Sequence, residues 1–211
     1  MEFWHDRWKS QRIGWHRSVF NDLLLKHWSS LAVPEGGEVL VPLCGKTLDM
    51  HWLAQQGHTV VGLELVQQAI ETFFLEDERT PVITTLDRFT TYTSPPYTIL
   101  HGDVLKLEAG TVQADAWYDR AALIALPVES RGPYVEQLRR QTKPGATGLL
   151  ITFTYPQHQM QGPPFSLEHD HVVGLFSEHF DIEKLDHVDL EDDRGRGLSP
   201  VSSSVYKLTK R

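Results

Sequence analysis

The order of apolar and polar positions divides the chain into short β-prone runs that alternate with stretches of helical spacing. The run at 38–41, Glu-Val-Leu-Val, follows a Pro34-Glu35-Gly36-Gly37 turn and predicts a first strand. Residues 46–56 predict a helix, with Leu48 and Trp52 four apart on one face and Gly57 as its stop. A second buried strand is predicted over 59–63. Val66, Ala69, Ile70, Phe73 and Phe74 then fall at the i, i+3, i+4, i+7, i+8 spacing of an amphipathic helix. Residues 89–92 and 97–100 flank Ser94-Pro95-Pro96 and predict a hairpin-like insertion leading into a third main strand.

Further on, a strand is predicted over 116–118, a helix over 128–141 broken by Lys143-Pro144-Gly145, and a strand over 149–153. Ser166 is placed as the cap of a helix reaching about His179. Two last strands, 180–188 and 201–208, are joined by a polar loop over 191–199. Alternating strands and helices imply a parallel sheet covered on both faces, and two late strands joined only by a loop imply an antiparallel pair at one edge. The expected fold is α/β and Rossmann-like, a seven-stranded, mainly parallel sheet with an antiparallel edge. No repeat or linker marks a boundary, so 1–211 reads as one domain. Residues 1–30 stand before the alternation as a lid-like segment.

Composition narrows the partners. Of 211 residues, 40% are hydrophobic and 23% charged, which is ordinary for a globular protein. A formal net charge of -8 disfavours nucleic acid and anionic membrane surfaces. The single cysteine, Cys44, has no internal partner, so a reducing, cytoplasmic setting is expected. The start of the chain shows no signal-peptide pattern, and no apolar run approaches the roughly 20 residues of a membrane span.

The candidate chemistry begins at Val41-Pro42-Leu43-Cys44-Gly45-Lys46-Thr47, because open α/β sheets bind ligands beyond the carboxyl ends of their strands. Gly45-Lys46-Thr47 resembles the end of a phosphate loop, but Leu40 occupies the position where that loop needs its first glycine. A dinucleotide fingerprint needs three glycines, and only Gly45 is present. A ligand with adenosine and ribose but no phosphate fits better. It needs one close backbone approach, at Gly45, and an acid for the ribose hydroxyls. Glu64 supplies the acid nineteen residues after Gly45. The competing reading of Glu64 is a surface acid after a strand.

Other candidates have equally plain competitors. Trp4 and Trp8 share a face of a short helix and suit an aromatic lid over a sulfonium cation, or simply an amphipathic segment docked on the core. His169 and His171 flank Asp170 without a metal-ligand motif and are expected to be solvent-exposed, so no metal site is predicted. Cys44 is expected to be a buried small residue beside the ligand loop rather than a nucleophile.

Taken in order, five motifs resemble the thiopurine S-methyltransferase family of class I methyltransferases over nearly the whole chain. They are Trp4 to Trp8, Val41 to Lys46, Gly57-His58-Thr59-Val60-Val61-Gly62-Leu63-Glu64, Tyr118-Asp119-Arg120-Ala121-Ala122-Leu123, and Gly162-Pro163-Pro164-Phe165. The resemblance implies a monomeric, cytoplasmic enzyme that uses S-adenosyl-L-methionine to methylate a small thiol. For bacterial members it also implies an association with tellurium and selenium detoxification. It carries cofactor contacts to Trp8, Leu43, Glu64 and Arg120, along the stretch from Trp4 to Trp15, and to Asp103 and Val104. Trp15, at a position usually Phe in the family, and Pro164 are carried over as acceptor-side residues. Arg120 is the expected catalytic residue, since a permanent cation can stabilise an anionic acceptor or pair with the donor carboxylate. Its competing reading is a structural ion pair with Asp119 or another acid. A nicotinamide-dependent oxidoreductase and a non-enzymatic adenosyl-ligand binding protein are the alternative functions.

Overall fold

A computed structural model describes residues 2–86, 89–192 and 195–211. The apolar runs become β1 (Glu38–Pro42), β2 (Thr59–Glu64), β5 (Tyr97–His101), β6 (Ala114–Arg120) and β7 (Thr142–Ile151), all mutually parallel. Their near-continuous burial is what a sheet covered on both faces demands. The helices that cover it include α2 (Asp22–His27), α3 (Asp49–Gln55), α4 (Gln67–Glu76), α5 (Val128–Arg140) and α6 (His169–Phe176). Two hairpins extend the sheet. On one edge β3 (Val82–Leu86) and β4 (Phe89–Ser94) add to β5, and on the other β8 (Phe180–Leu190) and β9 (Val201–Lys210) add to β7. The full order is β3-β4-β5-β2-β1-β6-β7-β9-β8, nine strands rather than the expected seven.

The extra edge strand was invisible to hydrophobic periodicity because Val82 to Thr85 are exposed on both faces. β3 is held by its ladder with β4, including a Thr85–Thr90 hydroxyl contact at 3.3 Å. The antiparallel hairpin of β4 and β5 around Pro95-Pro96 forms as expected.

Three boundaries differ from the sequence reading. The first helix after β1 starts at Asp49, not Lys46, because residues 43–47 form the turn at the strand end. Lys143-Pro144-Gly145 follows the end of α5, as a breaker should, but lies within β7. There the pairing shifts from Ala114–Thr142 to Ala116–Thr147 and leaves the three exposed. Ser166 does not cap α6, whose N-cap position is Glu168 and which ends at Phe176. The Ser166 hydroxyl instead accepts from the Tyr155 amide at 3.1 Å.

Side chains on both faces pack into separate cores, one around Trp117, Tyr134, Phe176 and Tyr206, the other around Trp28, Met50, Phe73 and Phe74. Trp117 lies flat over its register partner Gly148, where a Cβ would stand 1.9 Å from the indole, so only glycine admits this packing. No helix among the described residues is long and apolar enough to cross a membrane.

Candidate functional site

The carboxyl ends of β1, β2, β5, β6 and β7 open into one cavity of about 980 Å³, roofed by residues 3–23. That is the upper end of the range for small-molecule sites. Trp4, Trp8, Trp15, Leu43, Glu64, Asp103, Val104, Arg120 and Pro164 all line it. Gly45 is the predicted residue that does not. It sits behind the wall, where its φ of +53° and the indole of Trp8, 3.3 Å from where a Cβ would be, both favour glycine. The close approach predicted for Gly45 is therefore made to Trp8.

Glu64, at the last position of β2, is buried. Its Oε2 accepts from the Gly45 amide and its Oε1 from the Val66 amide, each at 2.7 Å. The carboxylate thus ties the first strand-end turn to the start of α4, whose N-cap residue Val66 has no capping side chain of its own. Burial pushes the Glu64 carboxyl pKa up, against the opposing pull of these amides. A carboxylate has about four lone-pair sites, so Glu64 keeps capacity to accept beyond the Gly45 and Val66 amides. Leu43, in the same turn, adopts φ +48°, and Ala121, just past Arg120, φ +66°. Two non-glycine residues in the left-handed region at adjoining strand ends mark the backbone as shaped for the cavity. Cys44 is fully buried against Gly62, and burial pushes its thiol pKa well up, which fits the inert reading.

The first helix, α1 (Glu2–Lys9), presents Trp4 and Trp8 to the cavity. Trp8 packs on Val66 and Ala69, while Trp4 and Trp8 meet Trp15 edge-on at ring centroid distances of 5.3 and 6.2 Å. Three indoles therefore stand together at one side of the cavity. Also lining the cavity, the Asp103 carboxylate accepts from the Leu105 amide at 3.0 Å and so fixes the turn that leads to the buried Val104. The Pro164 carbonyl accepts from the Tyr155 hydroxyl at 2.7 Å.

Arg120 pairs with an acid, but not with Asp119. Successive residues of a strand point to opposite faces, and Asp119 turns away to accept from the Tyr134 hydroxyl at 2.7 Å and the Leu123 amide at 3.1 Å. Arg120 Nε donates instead to Asp49 Oδ2 at 3.2 Å, and its two terminal nitrogens face the Trp15 carbonyl at 3.4 Å. The sequence reading missed Asp49, which joins α3 to β6 across 71 residues and carries no local motif. It also missed His16, another cavity residue, whose pKa is lowered by burial and then by the Lys46 charge. His169 is exposed as expected, yet stacks on Tyr206 at 5.8 Å. Lys46 is drawn to Glu76 at 2.5 Å.

Burial raises the Asp119 pKa from 3.8 to about 6. The folded protein therefore holds this proton more tightly than the unfolded chain does. The contribution of Asp119 to stability should fall as pH rises from about 4 to about 6 and level off above, a loss of roughly 3 kcal/mol. Asp119→Asn removes the titration. The wild-type minus variant difference in unfolding free energy should therefore fall by that amount between pH 4 and pH 7. Urea titrations at each pH test this, and a difference independent of pH would refute it.

The donor set suits an adenosyl sulfonium: a buried carboxylate for hydroxyls, aromatic faces for a cation, an apolar shelf at Val104 and a fixed guanidinium. The sequence model of the family described as "Thiopurine S-methyltransferase (TPMT)" matches residues 1–211. A thiopurine S-methyltransferase of Shewanella pealeana is 42% identical over 214 residues, covering 99% of this chain and 98% of that one. One from Pseudomonas fluorescens is 42% identical over 215 residues, covering 100% and 99%. Among solved structures, the Burkholderia thailandensis 1,6-didemethyltoxoflavin-N1-methyltransferase, with bound 1,6-didemethyltoxoflavin and S-adenosylhomocysteine, superimposes with a TM-score of 0.68. It is 14% identical and covers 99% of this chain and 86% of that one.

Proposed function

The chain belongs to the thiopurine S-methyltransferase family and is an S-adenosylmethionine-dependent methyltransferase, and we propose that it methylates the sulfur of small aromatic or heterocyclic thiols. Selenium and tellurium species, soft nucleophiles of the same kind, are included as acceptors. The observation that carries this reading is Arg120, a permanent cation held against an aromatic-walled cavity.

When bound, S-adenosylmethionine supplies an electrophilic methyl group on a sulfonium with a neutral leaving group. The protein's own task is then positioning, which is worth at most about 7–11 kcal/mol. Glu64 would hold the ribose hydroxyls, and Asp103, Val104, Leu43 and Trp8 would supply further cofactor contacts from the cavity wall. Trp4 completes the lid. Trp15 and Pro164 would wall the acceptor side. Arg120 favours the thiolate, the nucleophilic form, by its charge. An acidic aromatic thiol needs no further base. The protein is read as a single-domain, monomeric, cytoplasmic enzyme with residues 1–30 as its lid. Support for this comes from the lone buried cysteine and from a segment packed on the cavity through its tryptophans.

Arg120→Lys replaces a planar fork by a point charge. It should lower turnover of an aromatic thiol by roughly ten- to a hundredfold while S-adenosylhomocysteine affinity changes by less than about threefold. The assay runs labelled donor against aromatic thiols, thiopurines, selenite and tellurite. Wild-type turnover in Arg120→Lys would return Arg120 to a structural ion pair, and absence of turnover on every acceptor would remove the thiol reading.

A further inference from the structure

Asp49, on the first turn of α3, is where three parts of the molecule meet. Both it and Arg120 line the cavity, but its side chain is 2% exposed against 16% for that of Arg120, so the acid is the more deeply set of the two. Oδ1 accepts from the Asn21 backbone amide at 2.8 Å. Oδ2 accepts from the Tyr118 hydroxyl at 3.0 Å and from Arg120 Nε at 3.2 Å.

A buried ion pair contributes little net stability, because desolvating both charges offsets most of their attraction. Its geometric effect is definite. Arginine holds five N–H donors in one rigid plane, so fixing Nε fixes the direction of the other four. They are left for the Trp15 carbonyl and the cavity. Asn21 in turn caps α2 by accepting from the Leu23 and Leu24 amides. The same carboxylate thereby anchors the base of the N-terminal segment whose Trp15 touches Arg120.

We propose that Asp49 is the positioning residue of the site. It aims Arg120 at the acceptor and makes that aim depend on the seating of the N-terminal segment between Trp15 and Asn21. The inference rests on the acceptor role of Arg120 proposed above. Asp49→Asn keeps the shape and an acceptor for the Asn21 amide but removes the charge that holds Nε.

The test compares Asp49→Asn, Arg120→Lys and the double variant with an aromatic thiol, alongside S-adenosylhomocysteine calorimetry. Asp49→Asn should lower kcat/KM by roughly ten- to a hundredfold, with inhibitor affinity within about threefold. The double variant should be no worse than the poorer single one, because both changes remove the same aimed guanidinium. Multiplying losses would mean independent structural roles and overturn the proposal. Impaired Arg120→Lys beside unimpaired Asp49→Asn overturns this inference alone, whereas unimpaired Arg120→Lys overturns the acceptor reading and this inference with it. A spectroscopic measurement on the wild type keeps the test open if Asp49→Asn fails to fold. The Arg120 Nε–H signal in nitrogen-15 spectra should exchange with water far more slowly than those of exposed arginines such as Arg12 and Arg17. Equal exchange overturns the proposal.

Discussion

Glu64→Ala is expected to weaken S-adenosylhomocysteine binding by roughly ten- to a hundredfold and to lower the melting temperature as well. Two effects combine. The ribose hydroxyls lose an acceptor in a closed site, and a buried donor left without a partner costs about 1–3 kcal/mol. The Gly45 and Val66 amides lose theirs too, which loosens the turn after β1 and the start of α4 together. Glu64→Gln separates the contributions, because its amide oxygen still serves one of the two backbone donors while its NH2 opposes the other. It should bind more weakly than the wild type and melt above Glu64→Ala. Calorimetry at a temperature where each variant is folded gives the affinity. An unchanged dissociation constant in Glu64→Ala would leave Glu64 as a purely structural tie between two loops.

The parts of this site that the sequence made legible are those set by local pattern. β1 and β2 are short buried runs, so their ends, and with them Leu43 and Glu64, could be placed to within a residue. The pairing of Trp4 with Trp8 follows from helical spacing alone. Arg120 could be singled out only through the family resemblance, since an Asp-Arg dipeptide reads equally well as a surface ion pair. What local pattern could not show is anything that depends on which strand lies beside which. Asp49 finds Tyr118 and Arg120 only because α3 packs beside the end of β6. The Trp15 contact with Arg120 is made by a backbone carbonyl, which every residue possesses, so no side-chain signal announces it. Gly45 belongs to the loop that borders the cavity but does not line it, and the sequence does not reveal that an indole from residue 8 lies against it. β3 shows the converse limit. Its Thr-rich run has strand propensity but no buried face, and only its ladder with β4 defines it.

Deleting residues 1–15 is expected to abolish methyl transfer while leaving the sheet folded. The segment contributes nothing to the nine-stranded ladder. Its eight-residue helix α1 is shorter than the roughly 12–15 residues at which an isolated helix becomes marginally stable. Of α1, only Trp8 is buried, against Val66 and Ala69, so its hold on the body runs through that indole and the tryptophan cluster around it. A further tie, between the Arg120 guanidinium and the Trp15 carbonyl, spans 3.4 Å at both nitrogens. These few contacts fit a segment that opens on its own, as chain termini commonly do unless tied down. Ligand in the cavity would add contacts to Trp4, Trp8 and Trp15 that an open form lacks, and so would shift the balance toward closure. The lid would then shut water out and bring Trp15 against the acceptor in the same movement. S-adenosylhomocysteine at about 100 times its dissociation constant should slow hydrogen exchange of the amides in residues 4–15 by up to roughly a hundredfold, if opening and binding exclude each other. Strand amides of β1 and β2, which exchange only by deeper unfolding, serve as the internal comparison. The truncated protein should keep the far-ultraviolet spectrum of the sheet and bind S-adenosylhomocysteine weakly. Equal protection of residues 4–15 with and without ligand would mean that Trp8 locks the segment permanently, making it a fixed wall of the cavity instead of a lid.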